Sequence, residues 1–310
     1  MEQNSNRILT IITGASGFVG QNLSSYLTDK GMQATDISLR NLNWKEHLKT
    51  INAKALIHLA GKAHDTSNTS SPEDYFKVNR DLTVSLFKEF LKSDIRDFFY
   101  FSSVKAVADT IEGELLEEVI ANPLTPYGQS KHQAEQYLLA QPLSEGKRLF
   151  IIRPCMIHGP GNKGNLNLLY NIVKKGLPWP LAAFHNQRSF LSIDNLNFLL
   201  ESMISDVSIP SGIYNFSDDE PLSTNDLVTL IAETLNKTPR LYRVSPSLLR
   251  TIVRIGDIIP LPLNSERLKK LTESYVVSNH KIKNALKISH LPLSSKEGLK
   301  LTIQSFNKQK

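Results

Sequence analysis

A phenol and an ammonium stand four residues apart in Tyr127-Gly-Gln-Ser-Lys131. On a helix, positions i and i+4 share a face, so both side chains reach one site. A free tyrosine titrates at about pH 10 and is a poor base at neutral pH. A neighbouring positive charge lowers it, which suits a general acid/base acting on a hydroxyl or a ketone. The spacing alone carries little weight, because Tyr170-Asn-Ile-Val-Lys174 repeats it. Context separates the two. Tyr127 follows an aromatic segment, 96–101, that ends in Ser102-Ser103. A hydroxyl there sits where a parallel sheet places its functional loops. Tyr170 lies among Leu168, Leu169, Ile172 and Val173 and reads as structural.

A second cluster is glycine-based. An apolar run, 8–13, leads into Thr13-Gly14-Ala15-Ser16-Gly17-Phe18-Val19-Gly20, and a helical pattern follows. Glycines at this spacing allow a tight turn, close approach of backbone to a pyrophosphate, and close helix–strand packing. The helix N-terminus then offers free N–H groups and the positive end of its dipole. Gly14, Ser16, Gly17, Phe18, Val19 and Gly20 are therefore expected at a dinucleotide, NAD or NADP. A cationic nicotinamide ring would add to Lys131 in lowering the Tyr127 pKa. An acid at the end of the second strand would favour NAD and an arginine NADP. Asp36 and Arg40 are both near, with Ser38 between them, and the choice stays open.

These residues need a scaffold. Expected strands are 8–13, 32–39, 55–60, 96–101 and 149–153. Expected helices are 21–30, 78–91 (with Val78, Leu82, Leu86 and Phe90 at helical spacing) and 127–139. Segment 55–60 is apolar without alternation, as in a strand buried on both faces. Strands alternating with helices mean βαβ units. The fold class is α/β, a Rossmann-type doubly wound parallel sheet with a smaller C-terminal α/β lobe. After Pro154 the texture changes: Gly and Pro crowd 158–164 and 176–180, and helical stretches 224–235 and 245–259 follow. The expected division is residues 1–160, with 187–217 returning to them, against a substrate lobe of 161–186 and 218–310.

The 310 residues are 40% hydrophobic and 21% charged, an ordinary globular composition. A single cysteine, Cys155, excludes a disulfide framework and a multi-cysteine metal site, and reads as a reduced packing thiol. The eight histidines show no metal spacing, and no metal is expected. His58 reads as a satisfied core residue. The net charge of +6 reads as scattered, which argues against nucleic acid and for a mild pull on anionic small molecules. No apolar stretch is long enough to span a membrane, and the polar start is unlike a secretory signal, so a cytoplasmic location is expected.

With these motifs in hand, the chain resembles the extended short-chain dehydrogenase/reductases, in particular the NAD(P)-dependent nucleotide-sugar epimerases, dehydratases and reductases. The resemblance rests on 13–20, His58-Leu59-Ala60-Gly61, Val78-Asn79, Phe101-Ser102-Ser103, 127–131, Arg153-Pro154, 158–161 and 188–194. It implies that Gly14, Gly17 and Gly20 hold the pyrophosphate, with Leu59, Ala60, Gly61 and Pro154 lining the cofactor. It implies Tyr127 as acid/base, Lys131 as its activator and ribose contact, and Ser103 on the reacting oxygen. Asn165 and Arg188 match residues that family members place on the sugar-nucleotide diphosphate. Lys62, His64 and Lys105 are further substrate candidates, and 66–71 reads as a loop over the site. The resemblance also implies a homodimer through helices 78–91 and 127–139.

Some positions depart from the pattern. Met156 stands where many epimerases carry Asn, Lys105 where small or hydroxyl residues are usual, and Ala108-Asp109 replaces an aromatic-Gly pair. The late nucleotide-contacting Arg-x-x-Asp is not recognisable near Glu266-Arg267. Val104-Lys105 follows Ser103 where a 4,6-dehydratase needs an Asp-Glu pair, which disfavours that reaction. Gly61-Lys62-Ala63-His64, 102–105 and Pro178-Trp179-Pro180-Leu181 look most like bacterial surface-polysaccharide enzymes. That subgroup holds UDP-N-acetylhexosamine 4-epimerases and UDP-4-keto-6-deoxy-N-acetylhexosamine 4-reductases. The expected chemistry is therefore redox at C4 of a UDP-linked sugar. A non-catalytic dinucleotide sensor or RNA-binding relative would have no chemical need for Ser103, Tyr127 and Lys131 together.

Overall fold

The computed structural model describes residues 9–62, 71–162, 165–256 and 264–308. Its strands are β1 (Leu9–Thr13), β2 (Gln33–Ile37), β3 (Ala55–His58), β4 (Asp97–Phe101), β5 (Glu114–Leu115), β6 (Arg148–Pro154), β7 (Met156–His158), β8 (Phe190–Ser192), β9 (Gly212–Phe216) and β10 (Val276–Val277). The helices begin with α1 (Phe18–Asp29), α2 (Trp44–Thr50), α3 (Pro72–Tyr75), α4 (Leu82–Lys92), α5 (Pro126–Leu139) and α6 (Asn165–Lys174). They continue with α7 (Ile193–Ser205), α8 (Thr224–Thr234), α9 (Pro246–Gly256), α10 (Ser265–Thr272), α11 (His280–Leu286) and α12 (Ser295–Lys308).

Six parallel strands form the central sheet in the order β2-β1-β3-β4-β6-β9. Every residue of β3, β4 and β6 is buried, because helices cover both faces. Leu23 and Leu27 of α1 and Leu196, Leu199 and Leu200 of α7 cover one face. Trp44, Leu86, Phe87, Phe90, Ala134 and Leu138 cover the other. A second core, built on α6, α8, α9 and α12, gathers Leu169, Val228, Ile231, Leu249 and Ile303. It holds Tyr170, whose ring meets Phe306 edge-on at 5.3 Å, as a structural tyrosine would.

The chain leaves β1 to one side for β2 and returns on the other for β3. The order therefore reverses between β1 and β3, and the crevice beyond their carboxyl ends is the place where such sheets bind ligands. At the opposite end of the sheet, Arg148 clasps Asp97 with two hydrogen bonds of 2.7 and 2.8 Å, tying β6 to β4.

The expected helix 78–91 is broken by a π turn, Phe76–Asp81, ahead of α4. Leu86 and Phe90 are buried as expected, but the wider turn puts Asn79, Thr83 and Phe87 inside with them and leaves Val78 and Leu82 half-buried. Such turns concentrate at functional sites.

Candidate active site

Gly14 follows β1 with φ +75°, and a Cβ there would lie 2.7 Å from the Ala60 nitrogen beyond β3. A side chain would wedge the two strand ends apart. A Cβ on Gly20 would lie 2.5 Å from Gly14 O, so α1 also packs on the turn through a missing side chain. Gly17 caps α1 without a side-chain acceptor, and the first turn carries no acid. A pyrophosphate fits this cradle: the dipole is favourable and no carboxylate competes. Ser16 and Gly17 are exposed, while Phe18, Val19 and Leu59 are half-buried against the first core. Pro154 closes β6, buried. Asp36 is exposed one residue before the end of β2, so Ser38 is the first residue beyond that strand, and Arg40 is exposed in the turn after it.

Tyr127 and Lys131 are set by the start of α5. Thr125 caps the helix by accepting from the Gly128 N–H at 3.2 Å, and Pro126 opens it. Asp109 fixes the approach, accepting from the Leu124 N–H at 2.8 Å and the Thr125 hydroxyl at 3.4 Å. Gly128 lets α5 meet the 3-10 turn Val104–Ala106, since a Cβ there would sit 2.3 Å from Lys105 O. Ser103 caps that turn, accepting the Lys105 N–H at 3.2 Å. Its own hydrogen is left for the Tyr127 oxygen, and that hydrogen bond draws the phenol down. Burial outweighs it, so the chain's own groups leave Tyr127 above its ordinary value. Lys131 Nζ donates one of its hydrogens to Phe101 O at 2.7 Å.

Lys131 is itself buried and is pushed down to about 8 by desolvation, against the opposing pull of Glu135. Arg153 grips Glu135 with two hydrogen bonds of 3.0 and 2.6 Å, anchoring α5 to β6. A Cβ on Gly61 would lie 3.2 Å from Lys131 Nζ and 3.0 Å from Asn79 Oδ1. The segment after β3 therefore passes directly over the lysine.

Asn79 carried no assigned role in the sequence, yet it organises this corner. Fully buried, it accepts the Lys62 N–H at 2.8 Å and donates to Lys62 O and Ser130 Oγ, each at 3.1 Å. Below it, Thr83 donates to Asn79 O at 2.8 Å, so it must accept from His58 Nε2 at 2.9 Å, and His58 Nδ1 accepts from Thr13 at 2.7 Å. His58 is thus a satisfied core histidine, pushed down to about 3 by burial and then by Lys131.

The substrate candidates divide. Lys105 Nζ donates to Asp109 O at 2.7 Å and lies 4.2 Å from the Tyr275 ring centre. Arg188 donates to Lys270 O, and burial lowers both cations. Lys62 turns to Asp74 at 2.8 Å, over Tyr75, whose ring meets Tyr127 edge-on at 6.1 Å. Asn165 is the first residue of α6. His64 and most of the 66–71 loop lie outside the described residues. Among the described residues no group of His, Cys, Asp and Glu could hold a metal, and no helix is long and apolar enough to cross a membrane.

This is a doubly wound α/β protein with a phosphate cradle and a Ser-Tyr-Lys set at the carboxyl ends of its strands. The family model for the NAD dependent epimerase/dehydratase family matches residues 10–215, and the chain belongs to that family. It is 31% identical to a UDP-glucose 4-epimerase of Vibrio cholerae over 248 residues, 73% of this chain and 76% of that protein. It is 25% identical to the N-acetyl-alpha-D-glucosaminyl-diphospho-ditrans,octacis-undecaprenol 4-epimerase of Escherichia coli O157:H7, over 73% of this chain and 72% of that one. Its fold matches the Bordetella bronchiseptica enzyme WbmG in complex with NAD, with TM-score 0.78 at 14% identity, covering 100% of this chain and 97% of that one.

Proposed function

We propose that the chain epimerises a UDP-linked sugar, a UDP-N-acetylhexosamine or UDP-glucose, at C4, with NAD as the recycled oxidant. The observation that carries this reading is the hydrogen bond of Ser103 to Tyr127 at the end of β4, one helical turn from the buried Lys131. The 31% identical relative, a UDP-glucose 4-epimerase, supports epimerisation over 4-keto reduction, against a GDP-6-deoxy-D-mannose reductase of Pseudomonas aeruginosa that is 25% identical. When bound, NAD supplies a hydride acceptor at C4 and, through its cationic ring, the positive charge that draws the Tyr127 phenol down.

Tyr127 takes the proton from the C4 hydroxyl and later gives it back. Ser103 holds the reacting oxygen by a hydrogen bond, and Lys131 keeps a positive charge beside the phenol. Gly14, Gly17 and Gly20 cradle the cofactor, while Ala60 and Gly61 keep its binding edge free of side chains. Asn165 and Arg188 hold the diphosphate of the substrate and Lys105 contacts it nearer the reacting carbon, where residues 1–160 with 187–217 face a lobe of residues 161–186 and 218–310. The working form is a cytoplasmic homodimer through α4 and α5, serving surface polysaccharide biosynthesis.

The test is to denature freshly purified protein and assay released nicotinamide dinucleotide, then follow UDP-N-acetylglucosamine and UDP-glucose for their C4 epimers. Near-stoichiometric NAD with interconversion supports the reading. A site that NADPH fills reversibly, with reduction of a UDP-4-keto-6-deoxy-N-acetylhexosamine, replaces epimerase by reductase. No dinucleotide binding at all overturns both.

A further inference from the structure

The positive charge is less scattered than a first reading of the chain suggests. The whole sequence has 36 Lys and Arg against 30 Asp and Glu. Residues 237–270 alone hold eight Lys and Arg against two acids, a net +6, so the rest of the chain balances at 28 against 28. The entire excess sits on about one tenth of the sequence.

The described part of this segment is amphipathic. Helix α9 buries Leu249 and Val253 in the lobe core and exposes Leu248 and Arg254. Ahead of it, an extended run bridges Trp179 and Leu181 through Leu241 and Arg243. That run leaves Tyr242 54% exposed and Leu241 39%, close to the 55% of Leu248. Arg243 is exposed as well. Among the described residues neither Arg243 nor Arg254 pairs with a carboxylate, and Lys269 on α10 meets Glu273 only at 4.0 Å. Exposed leucines are ordinary when single. Here they are interleaved with unneutralised arginines, the pattern by which a surface lies in a bilayer interface, apolar groups down and cations on the headgroups. Helix α10 also reaches the candidate site, because Lys270 O accepts from Arg188.

We propose that residues 240–254, with α10, form a surface that docks the chain peripherally on an anionic phospholipid bilayer. Tyr242 and Leu248 enter the headgroup layer, and Arg243, Arg254 and Lys269 meet lipid phosphates. The proposal does not rest on the reaction proposed above, and its test needs no turnover.

Full-length protein is sedimented with vesicles of phosphatidylcholine alone or with about one-third phosphatidylglycerol. A basic residue near such a surface is worth about fivefold in partitioning. Arg243→Gln, Arg254→Gln and Lys269→Gln together should therefore weaken binding about a hundredfold, with circular dichroism and cofactor content unchanged. Leu248→Ser with Tyr242→Ser should weaken it while keeping the salt dependence. Binding should collapse near 1 M salt, where charges are screened beyond about 3 Å. Equal binding to both vesicle types, no sedimentation at low salt, or a triple variant that binds like the parent each overturns the proposal. Retention on heparin without vesicle binding also overturns it and gives the surface to another polyanion.

Discussion

Replacing Gly128 by alanine sets local propensity against packing. Inside a helix, alanine is favoured over glycine by about 1 kcal/mol, so propensity alone predicts a more stable protein. The structure predicts the reverse. The new Cβ would lie 2.3 Å from Lys105 O and 2.9 Å from Pro123 Cβ. Reaching even a tight 3.0 Å contact requires α5 and the Val104–Ala106 turn to part by about 0.7 Å. The partner at 2.3 Å is backbone, so no flexible side-chain end can yield. Overpacking costs about 1–3 kcal/mol, and a backbone clash belongs at the upper end. The net expectation is a loss of about 2 kcal/mol, which at this chain length lowers the melting temperature by about 3 °C. The displaced residue neighbours Tyr127, and a shift approaching 1 Å costs about a hundredfold in rate. Thermal melts and kcat, measured on the same preparation, check both numbers. A variant that melts at or above the parent and turns over at the parental rate would falsify the close approach of helix and turn.

Tyr127→Phe should lower turnover by about 10²–10⁴ while retaining bound dinucleotide, because it removes the proton carrier alone; parental turnover would remove Tyr127 from the chemistry. Lys131→Met should stabilise the protein at pH 7. Native Lys131 titrates at about 8 instead of 10.5, so its buried charge costs about 3 kcal/mol at neutral pH, while the orphaned Phe101 carbonyl takes back about 1–2. Because the unfolded chain binds this proton more tightly, the parent recovers stability between pH 8 and 10.5, and the advantage of the variant should vanish across that window in urea titrations. A variant less stable than the parent at pH 7 refutes the desolvation argument. His58 titrates at about 3 when folded and at 6.5 when not. The unfolded state therefore takes up its proton first, and stability should fall as pH drops from 6.5 toward 3, by at most about 5 kcal/mol. His58→Asn should flatten that acid limb, and an unchanged slope would assign it to carboxylates.

The parts of the site legible in sequence are those where chemistry demands one residue type at fixed spacing on a regular element. Gly14, Gly17 and Gly20 mark a strand-to-helix turn, and Tyr127 and Lys131 mark a helical face, whatever the distant chain does. Asn79 was not legible as a clamp, because a 3.6-residue period puts Val78 and Leu82 inside. The π turn adds a residue per turn there and delivers Asn79 and Thr83 instead. Gly128 was silent for another reason. Its need comes from Lys105 O, on a turn that approaches only after the sheet has formed. The division of β2 is similarly non-local, since where the strand ends relative to Asp36, Ser38 and Arg40 depends on its register with β1.

The electrostatics of the site follow from the same non-local packing. Lys131 sits in a region that disfavours its charge, and Glu135, one turn on, favours it. An unpaired buried Glu135 would be expensive to bury. Arg153, reaching in from β6, neutralises the carboxylate through two hydrogen bonds. The trio then carries a net single positive charge, and the end of it that faces Gly61 is the lysine. The sheet's other end uses a different solution, where Asp97 takes both Arg148 and Arg96 far from the crevice. Two clusters, each of cations around one buried carboxylate, thus stand at opposite ends of the sheet. The one at the amino ends of β4 and β6 closes the fold, and the one at their carboxyl ends holds a buried ammonium, pushed down to about 8, one helical turn from Tyr127.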